Sequence, residues 1–154
     1  MPVMAPTVAN EFIRLARAEG RALTPLQVIK LVYIAHGWML ALYQRPLITD
    51  AIEAWKYGPM IPNLYHALKR YGAGSIIEPI SRRTEQLDDD ERDVIEQVYA
   101  QYGHLTGIQL SRMTHQAGTP WHETWSDEPN EPISNDLIAD HYRQLVDEQA
   151  SAGE

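Results

Sequence analysis

Three kinds of residue in this chain could carry chemistry by type: six histidines, six serines and twenty-one carboxylates. His115 and His122 stand seven apart around Gly118 and Pro120, with acids nearby. A zinc site would need two histidines at i, i+4 with a carboxylate, or thiolates, and the chain has no HExxH and no cysteine. Each histidine is therefore expected to make an ordinary structural hydrogen bond, and no metal is expected. Ser75, Ser81, Ser111, Ser126, Ser134 and Ser151 all lie outside a GxSxG elbow, and no glycine-rich phosphate loop is present. With so many acids, a pair of carboxylates can always be found, so pairing them carries no information. The reading is a protein without catalytic residues or cofactor.

Two other clusters are chemically uneven. Lys30 is the one cation in a long apolar stretch and shares a helical stripe with Tyr33 and Gly37 at i, i+3 and i+7. Its ammonium is expected to snorkel outward along apolar surface or to pair with a carboxylate such as Glu53; the alternative makes the stripe a seat for another chain. The second cluster, EAWKYGPMIPNLYHAL (Glu53 to Leu68), sets Trp55, Lys56 and Tyr57 before Gly58-Pro59. Trp55 and Tyr57 alternate onto one side of an extended segment. Such aromatics fit a structural corner, and they equally fit an interface hot spot.

These residues must be held by elements that the pattern of the chain predicts to be mainly helical. Thr7 is expected to cap a first helix that runs to Glu19 and stops at Gly20. Thr24 caps a second, Pro25 opens it, and apolar residues on nearly every side to Tyr43 make it the helix around which others wrap. Two short apolar runs around Thr49-Asp50 predict a small β-hairpin or extended pair, followed by a turn at Gly58-Pro59 and a helix from Pro62 to about Arg70. Residues 75–87 read as a loop. Asp88-Asp89-Asp90 place negative charge at the start of a helix through Tyr102. Thr106 opens another, with Ile108 and Met113 among its apolar positions; Pro120 to Trp125 adds one turn. A last amphipathic helix from Ser134 has Leu137, Ile138, His141 and Leu145 near one face, before a frayed QASAGE tail. The expected architecture is a single domain over 1–154, with a core of about 7–148 and six or seven helices around a central buried one.

Length and composition agree with one soluble core. The absence of cysteine, of a leader pattern and of a long uninterrupted apolar run leads to a cytoplasmic expectation. The net charge of −8 is lopsided: residues 1–77 hold four acids against eight bases, and residues 78–154 hold seventeen acids against five arginines, or −12. That balance argues against general nucleic-acid binding, and the acidic half could steer a basic partner. A helix-turn-helix reading also fails on the second helix, whose polar residues are too few to meet base edges.

The run from Leu23 to Gly72 closely resembles the Panacea domain, also described as SocA-like or phage-associated GepA-like. The resemblance rests on KLxY (Lys30 to Tyr33), Gly37-Trp38, EAWxYGP (Glu53 to Pro59) and THxxGxPW (Thr114 to Trp121). It extends over about Val8 to Tyr142. Its implication is an antitoxin that neutralises a small toxic protein by direct contact. Two alternatives accompany it: a proteolytic adaptor that delivers a toxin to a ClpXP-type protease, and a phage-derived nucleic-acid-binding regulator. Some relatives carry an added DNA-binding domain, for which the early first helix leaves no room, so self-repression is not expected. His36 stands where relatives often have Gln, and adds a group that could titrate. The candidate partner-binding residues are Lys30, Tyr33, Trp55, Lys56, Tyr57, His115 and Trp121.

Overall fold

The computed structural model describes residues 1–80, 85–125 and 130–152. It is mainly α: helices α1 (Ala5–Ala18), α2 (Pro25–Tyr43), α3 (Pro62–Leu68), α4 (Asp89–Tyr102), α5 (Gly107–Thr114), α6 (Pro120–Thr124) and α7 (Asn135–Ala152), with a small sheet of β1 (Glu53–Trp55), β2 (Gly58–Met60) and β3 (Glu131–Pro132). A 3₁₀ turn, Lys69–Tyr71, extends α3.

α2 is the central helix. The Thr24 hydroxyl accepts from the Gln27 N–H while the Gln27 side chain accepts from the Thr24 N–H, a capping box that closes the helix start at Pro25. From Val28 to Leu40 every residue of α2 is buried. Among the described residues it is the one helix long and apolar enough to cross a membrane, yet helices α1, α4, α5 and α7 cover it. Its closest neighbour is α7, and the contact depends on Gly37: a Cβ there would collide with the ring of Tyr142. The Tyr142 ring fills this notch and meets Trp38 edge-on at 5.4 Å and Tyr33 at 6.4 Å. The Gly37-Trp38 pair is thus a helix-packing notch. On α7 the inward face is Ile138, Ala139 and Tyr142, with Leu145 and Val146 packed against the core. Leu137, expected inward, is exposed.

Local chemistry sets the ends of the other helices. α1 begins before Thr7, at Met4-Ala5 with Pro6 in its first turn. Asp50 accepts the Ala5 N–H at 2.7 Å, so the cap comes from across the fold. Thr7 is buried inside the helix and accepts the Glu85 N–H instead of capping. Gly20, at φ 73°, ends α1 through paired bonds from Gly20 and Arg21 N–H to the Arg17 and Ala16 carbonyls. Asp88 and Glu91 form a capping box at α4, as Thr106 and Gln109 do at α5.

Three expectations are corrected. The hairpin turn lies at Lys56-Tyr57 and not at Thr49-Asp50: Trp55 faces Gly58, and Gly58-Pro59 sit within β2 instead of turning. The 47–50 segment pairs with the N-terminal residues, Val3 bonding Leu47 and Thr49, while the Asp50 carboxylate bonds Ala5 and Asn63. On α5, Leu110 and Thr114 are buried whereas Ile108 and Met113 are exposed. Gly107 against Leu26, together with the Gln27 side-chain bond to the Leu105 carbonyl, phases α5 that way. The tail expected to fray from Gln149 is helical to Ala152, and 153–154 lie outside the described residues.

Candidate partner-binding site

Three of the four motifs, KLxY, EAWxYGP and THxxGxPW, meet around the β1–β2 hairpin. β1 is central in the sheet order β2-β1-β3, so the short β3, far along the chain, covers its second edge. Pro59 fits β2 because an edge strand needs no ladder donor on its outer side.

Three helices hold the hairpin by its carbonyls. From α2, Lys30 Nζ donates to the Pro59 carbonyl at 2.7 Å. From α5, Ser111 Oγ donates to the Tyr57 carbonyl at 3.2 Å. From α6, Trp121 Nε1 donates to the Trp55 carbonyl at 2.5 Å. Gly58 makes this approach possible: its φ is 130°, and a Cβ would sit 2.9 Å from Lys30 Nζ and 3.5 Å from His115 Cβ.

Lys30 neither snorkels nor pairs with Glu53. It is buried, and burial alone lowers its ammonium to about 7. The reason is steric closure: the hairpin lies over the Lys30–Tyr33 stripe, and Glu53 instead accepts from Trp55 Nε1 at 2.9 Å. Tyr33 is also enclosed, its hydroxyl without a hydrogen-bond partner among the described residues, and burial raises its pKa. Trp121 is buried, stacked on Trp125 at 5.6 Å and met edge-on by His115 at 5.4 Å. His115 Nδ1 donates to the Ser111 carbonyl at 2.6 Å, which settles its ring orientation. His36 donates from Nε2 to Asn135 and accepts the Leu47 and Ile48 N–H groups at Nδ1, and burial lowers its pKa. This neutral tautomer joins α2, the 47–48 segment and the start of α7.

The seven candidate residues thus separate. Lys30, Tyr33 and Trp121 are enclosed, while Trp55, within β1, and His115, beside Gly58, are half-buried. Lys56 and Tyr57 project from its tip, Tyr57 being 73% exposed, with the Lys56 ammonium 5.5 Å from the Tyr57 ring centroid. Next to the tip, α5 presents Ile108 and Arg112, which periodicity alone did not single out. A sequence signal for them exists: 54–77 and 97–122 contain no Asp or Glu, a property they share with 20–49, most of which is the buried central helix.

A family model described as "Antitoxin SocA-like, Panacea domain" matches residues 28–122. Antitoxin SocA of Caulobacter vibrioides (strain NA1000 / CB15N) is 32% identical over 129 residues, covering 77% of this chain and 69% of that protein. No solved structure matches the chain. The matched segment runs from the buried turn of α2 that carries Lys30 to α6 that carries Trp121, and includes the three side chains that donate to the hairpin carbonyls. The chain belongs to the SocA-like antitoxin, Panacea domain family.

Proposed function

We propose that this protein is an antitoxin that neutralises a cognate toxic protein by direct binding, without catalysis. The observation that carries this reading is the division of labour among the motif residues. Lys30, Ser111 and Trp121 spend their donors on hairpin carbonyls, and the product is a braced tip with Lys56 and Tyr57 in solvent. A rigid aromatic at a braced tip suits recognition, because little side-chain and backbone freedom remains to be lost on binding. The buried titratable groups, Lys30, Tyr33 and His36, are enclosed by packing and positioned for structure.

The test is co-expression with the product of each gene that flanks this chain's own, screened for one that is toxic alone. Neutralisation predicts growth rescue with intact toxin recovered in a stoichiometric complex. Toxin half-life compared in cells with and without a ClpXP-type protease separates this from the adaptor reading: rescue that requires the protease, with toxin lost from the cell, overturns direct neutralisation.

A further inference from the structure

We infer that the surface made by Lys56 and Tyr57 at the hairpin tip with Ile108, Ser111 and Arg112 of α5 is where the toxic partner docks, and that the segment it seats is acidic around an apolar anchor. This rests on the antitoxin reading above and adds the surface and the chemistry it selects.

About one residue in seven of the chain is acidic, yet 54–77 and 97–122 contain no acid. The fold brings these two acid-free stretches together, through the Ser111–Tyr57 and Trp121–Trp55 bonds. On α5, Ile108, Ser111, Arg112 and His115 fall at i, i+3, i+4 and i+7, one helical stripe. Since Ser111 touches the Tyr57 carbonyl, that stripe runs beside the tip. Ile108 is 64% exposed and Tyr57 73%, and both are large apolar groups open to solvent. Arg112 forms no ion pair with any described residue, and neither does Lys56, whose ammonium lies toward the Tyr57 ring. Tyr and Arg are the residues that dominate interface energetics when desolvated.

Two cations that pair with no described residue, around two exposed apolar groups, complement carboxylates flanking an apolar side chain. A basic partner would find no counter-charge among the described residues of this surface. Nucleic acid fits less well, because a chain of net charge −8 offers two tip cations where phosphate binding needs a larger cluster.

The experiment measures affinity and association rate between this protein and the flanking-gene product that is toxic alone, at low and high salt. Variants are Tyr57→Ala, Ile108→Asp, the pair Lys56→Glu with Arg112→Glu, and a control pair on the acidic side, Glu96→Lys with Glu148→Lys. All these side chains are exposed, and denaturation curves matching the unmodified protein establish that each variant folds. Tyr57→Ala and Ile108→Asp are expected to weaken binding at least about thirtyfold. The tip charge reversal is expected to slow association about tenfold and remove its salt dependence, while the control pair leaves both unchanged. Tip variants that bind like the unmodified protein overturn this inference and leave the antitoxin reading standing, as does loss confined to the control pair, which assigns a basic partner to the acidic side. Binding of a single-stranded DNA or RNA oligonucleotide that needs Lys56 and Arg112 also overturns it. If the unmodified protein forms no complex, the antitoxin reading falls and this inference with it.

Discussion

Two regions announce themselves in the sequence, the aromatic Gly-Pro corner at Glu53–Pro59 and the acidic run Asp88–Glu91, and the fold uses them in opposite ways. The acids are largely consumed within the molecule. Asp88 caps α4, Glu91 completes the box while being buried, and Arg45 reaches Asp88 at 2.9 Å, Asp90 at 3.7 Å and Glu91 at 3.6 Å. At the corner the carbonyls are consumed while the Lys56 and Tyr57 side chains are left to solvent. Total charge is therefore a poor guide to which charges are available: carboxylates that cap and pair are less so than Lys56 and Arg112, which pair with no described residue.

The largest effect that separates the two regions is expected at Trp121. Trp121→Ala removes a buried, stacked ring and the donor to the Trp55 carbonyl, and should cost about 3–5 kcal/mol by chemical denaturation. A cost below about 1 kcal/mol would mean that the corner is not braced from α6.

Lys30 tests the same brace through pH. Its folded pKa, lowered to about 7, lies below its unfolded value, so from about 7 to 10 the unfolded chain binds more protons and stability rises with pH. One full proton is worth about 1.4 kcal/mol per pH unit. Above that window the buried tyrosines, whose folded pKa values are raised, reverse the slope. In Lys30→Met the rise should vanish, and a slope equal to that of the unmodified protein would place the ammonium in water. His36 acts on the acid side. Its folded pKa is lowered, so stability should fall as pH drops below the ordinary histidine range, and His36→Gln should flatten that fall.

Arg45→Met leaves the buried Glu91 carboxylate without its cation, and a loss of about 1–3 kcal/mol is expected. A loss of a few tenths would reduce the acidic run to surface charge. The smallest effect belongs to Tyr57→Ala, within about 0.5 kcal/mol in denaturation, because the exposed ring contributes little to folding. A large loss there would make the tip part of the core and collapse the distinction between the regions.

Much of the scaffold was legible. The caps at Thr24 and Thr106, the acidic helix start at Asp88, the stop at Gly20 and the all-round apolar character of 25–43 depend on chemistry within a few residues, which the chain order displays directly. The phase of α5 was not legible. Ile108 and Met113 look inward by hydropathy, and the packing of Gly107 on Leu26 turns Leu110 and Thr114 in instead. The hairpin was expected near its true place, but its turn was displaced because the partner of 47–50 is the N-terminal segment, which no local pattern announces.

By itself the sequence determined the family, through motifs spread from Lys30 to Trp121, along with the helical class and the central helix, because spacing along one chain encodes periodicity and caps. Only the tertiary structure decided what those motif residues do. Lys30 looks like a snorkelling cation and is a buried strut, while Gly37 looks like a weak point in a helix and is the seat of Tyr142. The helix that carries Ile108 and Arg112 is brought to the hairpin by a bond between residues 54 positions apart, Ser111 to Tyr57. Burial and proximity are properties of the closed packing, and they depend on distances across the chain that a reading along it does not contain.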